Sequence, residues 1–261
     1  MHRSFGAGGM YEAAEKSARI AIRLLGDSNV YTSGQVVYPT FHFLRILAYL
    51  IIESRERPVS RRRIANLIWS DNASEQVNAD IRQAVARIRR FQQEHDFQLL
   101  ASDMNMVWLN PEPAVYIDLM EFRDLIANPG PKSWIRLCEI YGGDLLGSHR
   151  PAGEGFEEWL NHHRTQLRFE YIGAISQAVL PTSLLTHQER NFCATRLLVE
   201  DPYHEGAHRA LMYEAALNGD FSFLQHLFEE CSNVLQQELG VSPTEETVSF
   251  YKSLMSRAPA H

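Results

Sequence analysis

The first regular pattern in the chain is an alternation. Ile20, Ile22 and Leu24 fall on one side and Arg19, Ala21 and Arg23 on the other, up to Gly26-Asp27. Residues 19–25 are therefore predicted as a half-buried β-strand, and residues 35–38, closed by Pro39, as a second short one. At Thr40 the period lengthens to that of a helix. Phe41, Leu44, Ala48 and Ile51 recur on a stripe that Phe43, Leu47 and Leu50 widen, the mark of a well-buried helix. Arg55-Glu56-Arg57-Pro58 ends it. Ser60 then offers an N-cap oxygen to a helix from Arg61 to Trp69, with Ile64, Leu67 and Ile68 turned inward.

Residues 75–95 are the most informative stretch. Val77, Ile81, Val85 and Ile88 make one apolar stripe, with Ala84 and Phe91 at its margin. At about 100° per residue, Arg82, Gln83, Ala86, Arg87, Arg90 and Gln93 fall on the sides and far face. Short strands over 97–100 and 106–109 then flank Ser102-Asp103-Met104-Asn105, predicting a hairpin. Strands, three helices and a hairpin, in that order, are the plan of a winged helix whose third helix enters the DNA major groove. Pro111-Glu112-Pro113 reads as a domain boundary.

Beyond it the pattern is helical. Helices are predicted over 118–127 and 133–141, the latter stopped by Gly142-Gly143. A long one follows over 156–180, with Trp159, Leu167, Tyr171, Ala174 and Ala178 on its inner side, then another over 188–199. Asp201-Pro202 reads as an N-cap and first-turn proline for a helix through Leu217. Gly219-Asp220 turns the chain into 221–239, Gly240 suits the C-terminal cap, and a last helix ends near Met255. Paired antiparallel helices with short turns resemble tetratricopeptide packing, with about one clear repeat rather than a long array. The expected fold class is thus α+β: an N-terminal winged helix followed by an all-α, tetratricopeptide-like domain. The expected division is a loose tail over 1–17, a DNA-binding domain over 18–112 and a helical domain over 116–258.

Charge sharpens that division. The net charge of −7 argues against nucleic acid until it is split. Residues 1–116 carry 14 Lys+Arg against 12 Asp+Glu, or +2, and residues 117–261 carry 11 against 20, or −9. Only local positive charge matters for DNA, because each neutralised phosphate releases counterions. The longest apolar run falls short of the roughly 18 residues of a membrane span, and residues 1–18 hold no signal-peptide core. Cys138, Cys193 and Cys231 are odd in number and far apart, as buried free thiols in a reducing cytosol would be. A cytoplasmic protein with no cofactor and no membrane partner is expected.

Candidate chemistry concentrates on the third helix of the winged helix. An Arg can bond guanine bidentately and a Gln can read adenine, so Arg82, Gln83, Arg87 and Arg90, with Arg89 beside them, form the expected reading surface. Asn78 and Arg82, nearest the helix start, are candidate base readers. Arg61-Arg62-Arg63 opens the helix that crosses the backbone and suits phosphate positioning. Asn105 and Ser102 in the hairpin are candidates for sugar or phosphate contact. The bland alternative for each is a solvated charged face. His204-Glu205-Gly206-Ala207-His208 matches the zinc-protease spacing H-E-x-x-H. It follows directly on the Asp201-Pro202 cap, no third ligand stands out downstream, and Gly206 weakens the helix, so a metalloprotease is not favoured. His162-His163 point to different faces and are expected at the surface. Neither a P-loop, a nucleophile elbow nor a dinucleotide fingerprint appears, and no enzyme is expected.

Several stretches together resemble one family, the SARP-type bacterial regulators, which couple an OmpR-type winged helix to a bacterial transcriptional activator domain. In the first half they are Ile22-Arg23-Leu24-Leu25-Gly26, Val59-Ser60-Arg61 through Leu67-Ile68-Trp69, Asp80 to Val85, Arg87-Ile88-Arg89-Arg90, and Ile117-Asp118 with Phe122. In the second they are Tyr141-Gly142-Gly143-Asp144-Leu145-Leu146, Asp201-Pro202 with Glu205, Ala207 and His208, and Glu238-Leu239-Gly240-Val241-Ser242-Pro243. The resemblance covers roughly residues 19–255. It implies a sequence-specific activator, a homodimer docking as tandem copies on direct repeats of double-stranded DNA and helping to recruit RNA polymerase. Two departures stand out. Residues 181–187 lack the usual Gly-containing turn, and no receiver, nucleotide-binding or phosphopeptide-binding extension is present, so control by phosphorylation or ATP is not indicated. The alternative function is a helical-repeat interaction scaffold whose winged helix mediates protein contacts.

Overall fold

The computed structural model describes residues 18–54, 57–70, 74–110, 112, 114–147 and 150–258. The expected tail over 1–17 and Pro111 and Pro113 of the expected boundary lie outside them. The alternation at the N-terminus folds as β1 (Ile20–Arg23), with Ile20 and Ile22 wholly buried. It pairs antiparallel with β2 (Asn29–Thr32), which the sequence reading missed, and β2 pairs with β3 (Gln35–Val37). Ser33 and Gly34 join β2 to β3 with positive φ at both, 50° and 79°, the backbone hand that a tight hairpin requires.

Three helices follow: α1 (Phe41–Glu53), α2 (Arg61–Ile68) and α3 (Ser74–Glu94). Ser60 caps α2 as expected, its hydroxyl accepting from the Arg63 N–H at 3.2 Å. Between α1 and α2 lies β4 (Val59–Ser60), and after α3 come β5 (Leu100–Ser102) and β6 (Met106–Leu109). The wing is therefore a three-stranded sheet, β4-β6-β5, rather than a bare hairpin. The strand expected over 97–100 begins only at Leu100. Phe97 instead turns inward, edge-on to Phe43 and Phe91 at 6.2 and 5.9 Å between ring centroids. Phe43, Leu47, Leu50, Ile64, Ile68, Ile81, Val85 and Ile88 complete this core. Each contributes roughly 1.5–3 kcal/mol through burial.

A third unforeseen strand, β7 (Val115–Ile117), pairs parallel with β1 and completes the sheet order β3-β2-β1-β7. It leads into α4 (Asp118–Ala127), whose first residue is 2% exposed. The Asp118 carboxylate accepts from the N–H groups of Leu24, Leu25 and Leu119 at 2.7–3.0 Å, tying the end of β1 to the start of α4. The Gly142-Gly143-Asp144-Leu145-Leu146 stretch reaches the same place. Gly26 donates to the Asp144 carbonyl at 2.9 Å and Leu146 to the Leu24 carbonyl at 2.7 Å. A Cβ on Gly26 would sit 2.7 Å from the Gly142 oxygen, and one on Gly142 would sit 2.9 Å from the Leu25 oxygen. Two backbones meet here at a distance that only glycine permits.

The remaining helices are α5 (Pro131–Ile140), α6 (Glu154–Ala178), α7 (His187–Glu200), α8 (Glu205–Leu217), α9 (Phe221–Val234) and α10 (Glu245–Met255). Contacts group residues 1–124 with 140–167 into one compact unit, and 125–139 with 168–261 into another. In the second unit α8 packs against α7, α9 and α10, around Met212, Leu224, Leu227, Cys231 and Leu254. All three cysteines are free and buried. A capping box opens α7, with Thr186 and Glu189 bonded reciprocally. Two expectations are corrected. Asp201 closes α7 rather than capping α8, and His204 caps α8, its Nδ1 accepting from the Ala207 N–H at 3.0 Å. The helix expected over 221–239 ends at Val234 and continues as one π turn, Leu235–Leu239, closed by Gly240 at φ 69°. The architecture is an α+β winged helix followed in the chain by all-α, tetratricopeptide-like helix pairs. Among the described residues no helix is long and apolar enough to cross a membrane.

Candidate nucleic-acid interface

Helix α3 presents its two faces as the wheel predicts. Val77, Ile81, Ala84, Val85, Ile88 and Phe91 are buried, while Asn78, Arg82, Gln83, Ala86, Arg87, Arg89, Arg90 and Gln93 are exposed. The small Ala86 sits among these longer side chains. Two arginines are tethered. Arg82 Nε donates to the Asn78 carbonyl at 3.0 Å, which lays its guanidinium along the first turns of the helix. Arg89 donates to the Ser102 hydroxyl at 3.0 Å and to its carbonyl, bracing the helix against the wing. Ser102 is thereby occupied by Arg89.

Gln92, which the sequence reading did not single out, is the other brace. It is 3% exposed, and its amide donates to the Leu100 carbonyl at 2.9 Å and accepts from the Leu100 N–H at 2.7 Å. Both hydrogen-bonding ends are matched inside the core, so the angle between α3 and β5 is set by a buried polar contact. A Gln on the margin of an apolar stripe is the only sequence signal for it.

The Arg61-Arg62-Arg63 run is split three ways. Arg61 is half-buried, and its backbone N–H bonds the Asn105 carbonyl at 2.7 Å. Burial, with Arg89 alongside, lowers its pKa, against the pull of Asp103. Arg62 is exposed. Arg63, though exposed, turns to the Tyr49 hydroxyl on α1. At the wing tip Asp103 accepts from the N–H groups of Asn105 and Met106 at 2.8 and 2.7 Å, which hold its carboxyl below the usual range and leave Asn105 exposed. Arg62, the polar face of α3 and Asn105 are thus exposed, while Arg63 and Arg89 are engaged with Tyr49 and Ser102 and Arg61 is half-buried.

The H-E-x-x-H residues do different work. His204 caps α8 through Nδ1 and meets the Ser176 hydroxyl through Nε2 at 2.9 Å. His208 Nε2 faces the Pro202 carbonyl at 3.0 Å, and Glu205 accepts from Thr244. The pattern is a helix start fastened to its neighbours. His163, expected at the surface, instead bonds Glu53 at 3.1 Å beside Trp159, whose indole N–H donates to the same carboxylate at 3.0 Å. Burial pushes the Glu53 carboxyl up, but these donors outweigh it and leave its pKa lowered.

The chain thus pairs a winged helix that exposes an arginine face with tetratricopeptide-like helices. Residues 138–255 match the family model of the bacterial transcriptional activator domain. Among solved structures, the chain is similar to Mycobacterium tuberculosis EmbR, solved in complex with a low-affinity phosphopeptide. The TM-score is 0.61 at 18% identity, over 94% of this chain and 67% of that one. No curated protein matches the chain. The match over residues 138–255 makes that segment similar to a bacterial transcriptional activator domain, and the likeness to EmbR at this identity is one of fold.

Proposed function

We propose that the chain binds double-stranded DNA in a sequence-specific manner, with residues 18–112 as the DNA-binding domain and residues 116–258 as the activator domain. In this reading the N-terminal half of α3 lies in the major groove. Asn78, Arg82, Gln83 and Arg87 read base edges; Arg62 and Arg90 hold phosphates; Asn105 touches the backbone beyond the wing. Arg61, Arg63 and Arg89 position the others. The observation that supports this best is the full exposure of the polar face of α3 while its apolar face is sealed. A helix that served only packing would not need four arginines on its open side. Two copies docking in tandem on direct repeats, with the acidic helical domain meeting RNA polymerase, complete the proposal.

Selection of bound oligonucleotides from a random pool tests it. A recurring motif, repeated head to tail, is the expected result. With roughly five phosphate contacts per protomer, log K should fall with log salt at a slope near −4 to −5. Arg62→Ala should weaken all sequences alike and reduce that slope by about 1. An unenriched pool, with no retarded species in a shift assay at low salt, rules the proposal out.

A further inference from the structure

Within the first unit, a cleft of about 670 Å³ opens beside α3. The start of α1 (Thr40, Phe41, His42), Arg45, Trp69 after α2, Arg87 and the segment 150–153 line it. Its size suits a small molecule. Three arginines and no acidic residue line it among the described residues.

Three kinds of observation point to an anionic occupant. Arg45 is 5% exposed, and although its Nη2 donates to both the Arg150 and Pro151 carbonyls, its Nε has no partner. His42 Nδ1 and Thr40 Oγ1, on the same wall, are likewise buried without a partner. Native interiors rarely leave such groups unmatched. Second, α1 has neither a side-chain cap nor an acidic residue in its first turn, so the positive end of a 13-residue helix dipole reaches the cleft without compensation. Third, no acid lines the cleft among the described residues: Glu157, whose charge also reaches Arg45, accepts from the Ala152 N–H, and Asp80, whose charge also reaches His42, accepts from Gln76.

Aromatic rings form the apolar part of the cleft. His42 meets Trp69 at 4.7 Å between ring centroids, the rings tilted by 33°, and the Arg150 guanidinium lies over the Phe41 ring at 5.3 Å. Burial and the neighbouring Arg45 and Arg87 bring the His42 pKa down to about 4, so at neutral pH the imidazole is an uncharged plate. The wall is also preformed. Gly153 donates to the Ile68 carbonyl at 3.2 Å, and a Cβ there would meet Ser70 Oγ at 2.6 Å.

We propose that this cleft binds a small aromatic carboxylate, its ring between Phe41 and the His42–Trp69 pair and its carboxylate among Arg45, Arg87 and Arg150. Arg87 belongs to both the cleft and the exposed face of α3. A ligand that draws it inward removes it from DNA, and by reciprocity DNA weakens the ligand by the same factor. This coupling rests on the DNA-binding reading above; the binding itself does not.

The test uses the intact protein and 2-naphthoate as probe, read by calorimetry. Saturable binding is expected, at least about tenfold tighter than the uncharged 2-naphthylmethanol. Arg150→Gln and Phe41→Ala should each weaken it about tenfold with thermal unfolding unchanged. Bound DNA should be released about tenfold more readily in the presence of 2-naphthoate, and not in Arg150→Gln. No saturable 2-naphthoate binding, or binding indifferent to both substitutions, overturns the proposal, as does inorganic phosphate competing equally well. Intact 2-naphthoate binding in a protein that never binds DNA supports the cleft and sinks only the DNA reading. The comparison with 2-naphthylmethanol needs no variant, so it stands even if a substituted protein fails to fold.

Discussion

Helices α3 and α9 are built by the same local rule and face the world with opposite charge. Each buries a stripe at helical spacing, Val77, Ile81, Val85 and Ile88 in one and Leu224, Leu227 and Cys231 in the other. On its open side α3 carries Arg82, Arg87, Arg89 and Arg90, whereas residues 221–239 carry Glu229, Glu230 and Glu238 and no Lys or Arg. The hydrophobic pattern makes both helices; it says nothing about what either touches. What differs is the chemistry left over after folding, and only there does a partner leave its mark. A phosphate backbone suits the first surface and is repelled by the second.

The sharpest way to break this contrast is to neutralise the two faces separately. Arg82→Ala with Arg87→Ala removes two base readers and two charges from α3. Operator affinity should fall by about 2–4 kcal/mol, roughly thirty- to a thousandfold, with the preferred bases that the two side chains read relaxed. Neutralising Glu229→Gln and Glu230→Gln should leave affinity for bare operator within about threefold. Fluorescence anisotropy on a labelled operator measures both. Equal losses from the two pairs would mean that net charge, not the α3 surface, governs binding.

The next largest effect concerns Asp118, where a short motif fastens the first unit. Its two oxygens face N–H donors on both sides, and an amide there must turn an NH2 toward one of them. Burial raises the Asp118 pKa to about 7 against the pull of these donors. The geometry favours an acceptor-only group all the same. Asp118→Asn should cost about 2 kcal/mol, measured by urea unfolding. Thr247 in the second unit, also buried but held by the Arg209 guanidinium at 2.8 Å, should lose less on Thr247→Val, about 1 kcal/mol.

How much of this was legible beforehand follows from the range of each interaction. The three helices of the winged helix were readable because their stripes are local, and the outward placement of Arg82, Gln83, Arg87 and Arg90 followed from helix geometry alone. β2, β4 and β7 were not, since strands of two to four residues carry almost no periodicity. β7 exists because β1, more than ninety residues earlier, offers it an edge. The tethering of Arg89 to Ser102 and the turning of Arg63 to Tyr49 likewise depend on tertiary contact. His204 escaped notice because Asp201-Pro202 is the commoner cap signal. An imidazole nitrogen took the role instead, two residues after the proline.

Each unit also holds a histidine kept neutral by its surroundings. His42 is brought down to about 4, and burial lowers the His204 pKa despite the nearby Asp201. Both folded-state pKa values lie below the unfolded one, so the neutral form is what folding favours. The stability they supply is present above about pH 6.5 and is lost as pH falls, toward pH 4 for His42. Thermal melts between pH 7 and pH 4.5 should therefore show His42→Gln losing a few degrees less than the parent protein. His204→Asn, which keeps a capping oxygen, should flatten the pH dependence without loss at pH 7. A parallel fall in all three proteins would show that neither imidazole titrates on unfolding.

The smallest effect compares two caps. Ser60 opens α2 with a single bond to the Arg63 N–H, while Thr186 opens α7 as half of a reciprocal box with Glu189. Ser60→Ala and Thr186→Ala should each cost about 1 kcal/mol in urea unfolding, with Thr186 at the upper end because two backbone donors depend on the pair. Their consequences for DNA should part. Ser60 sits at the junction of β4 with α2, where the Arg61 N–H meets the Asn105 carbonyl at the wing tip. Fraying there loosens Arg62 and the wing together, so Ser60→Ala should also weaken operator binding by about threefold. Thr186→Ala, in the second unit, should leave that affinity unchanged. A loss of operator binding in Thr186→Ala as large as in Ser60→Ala would tie the second unit to DNA contact as closely as the first.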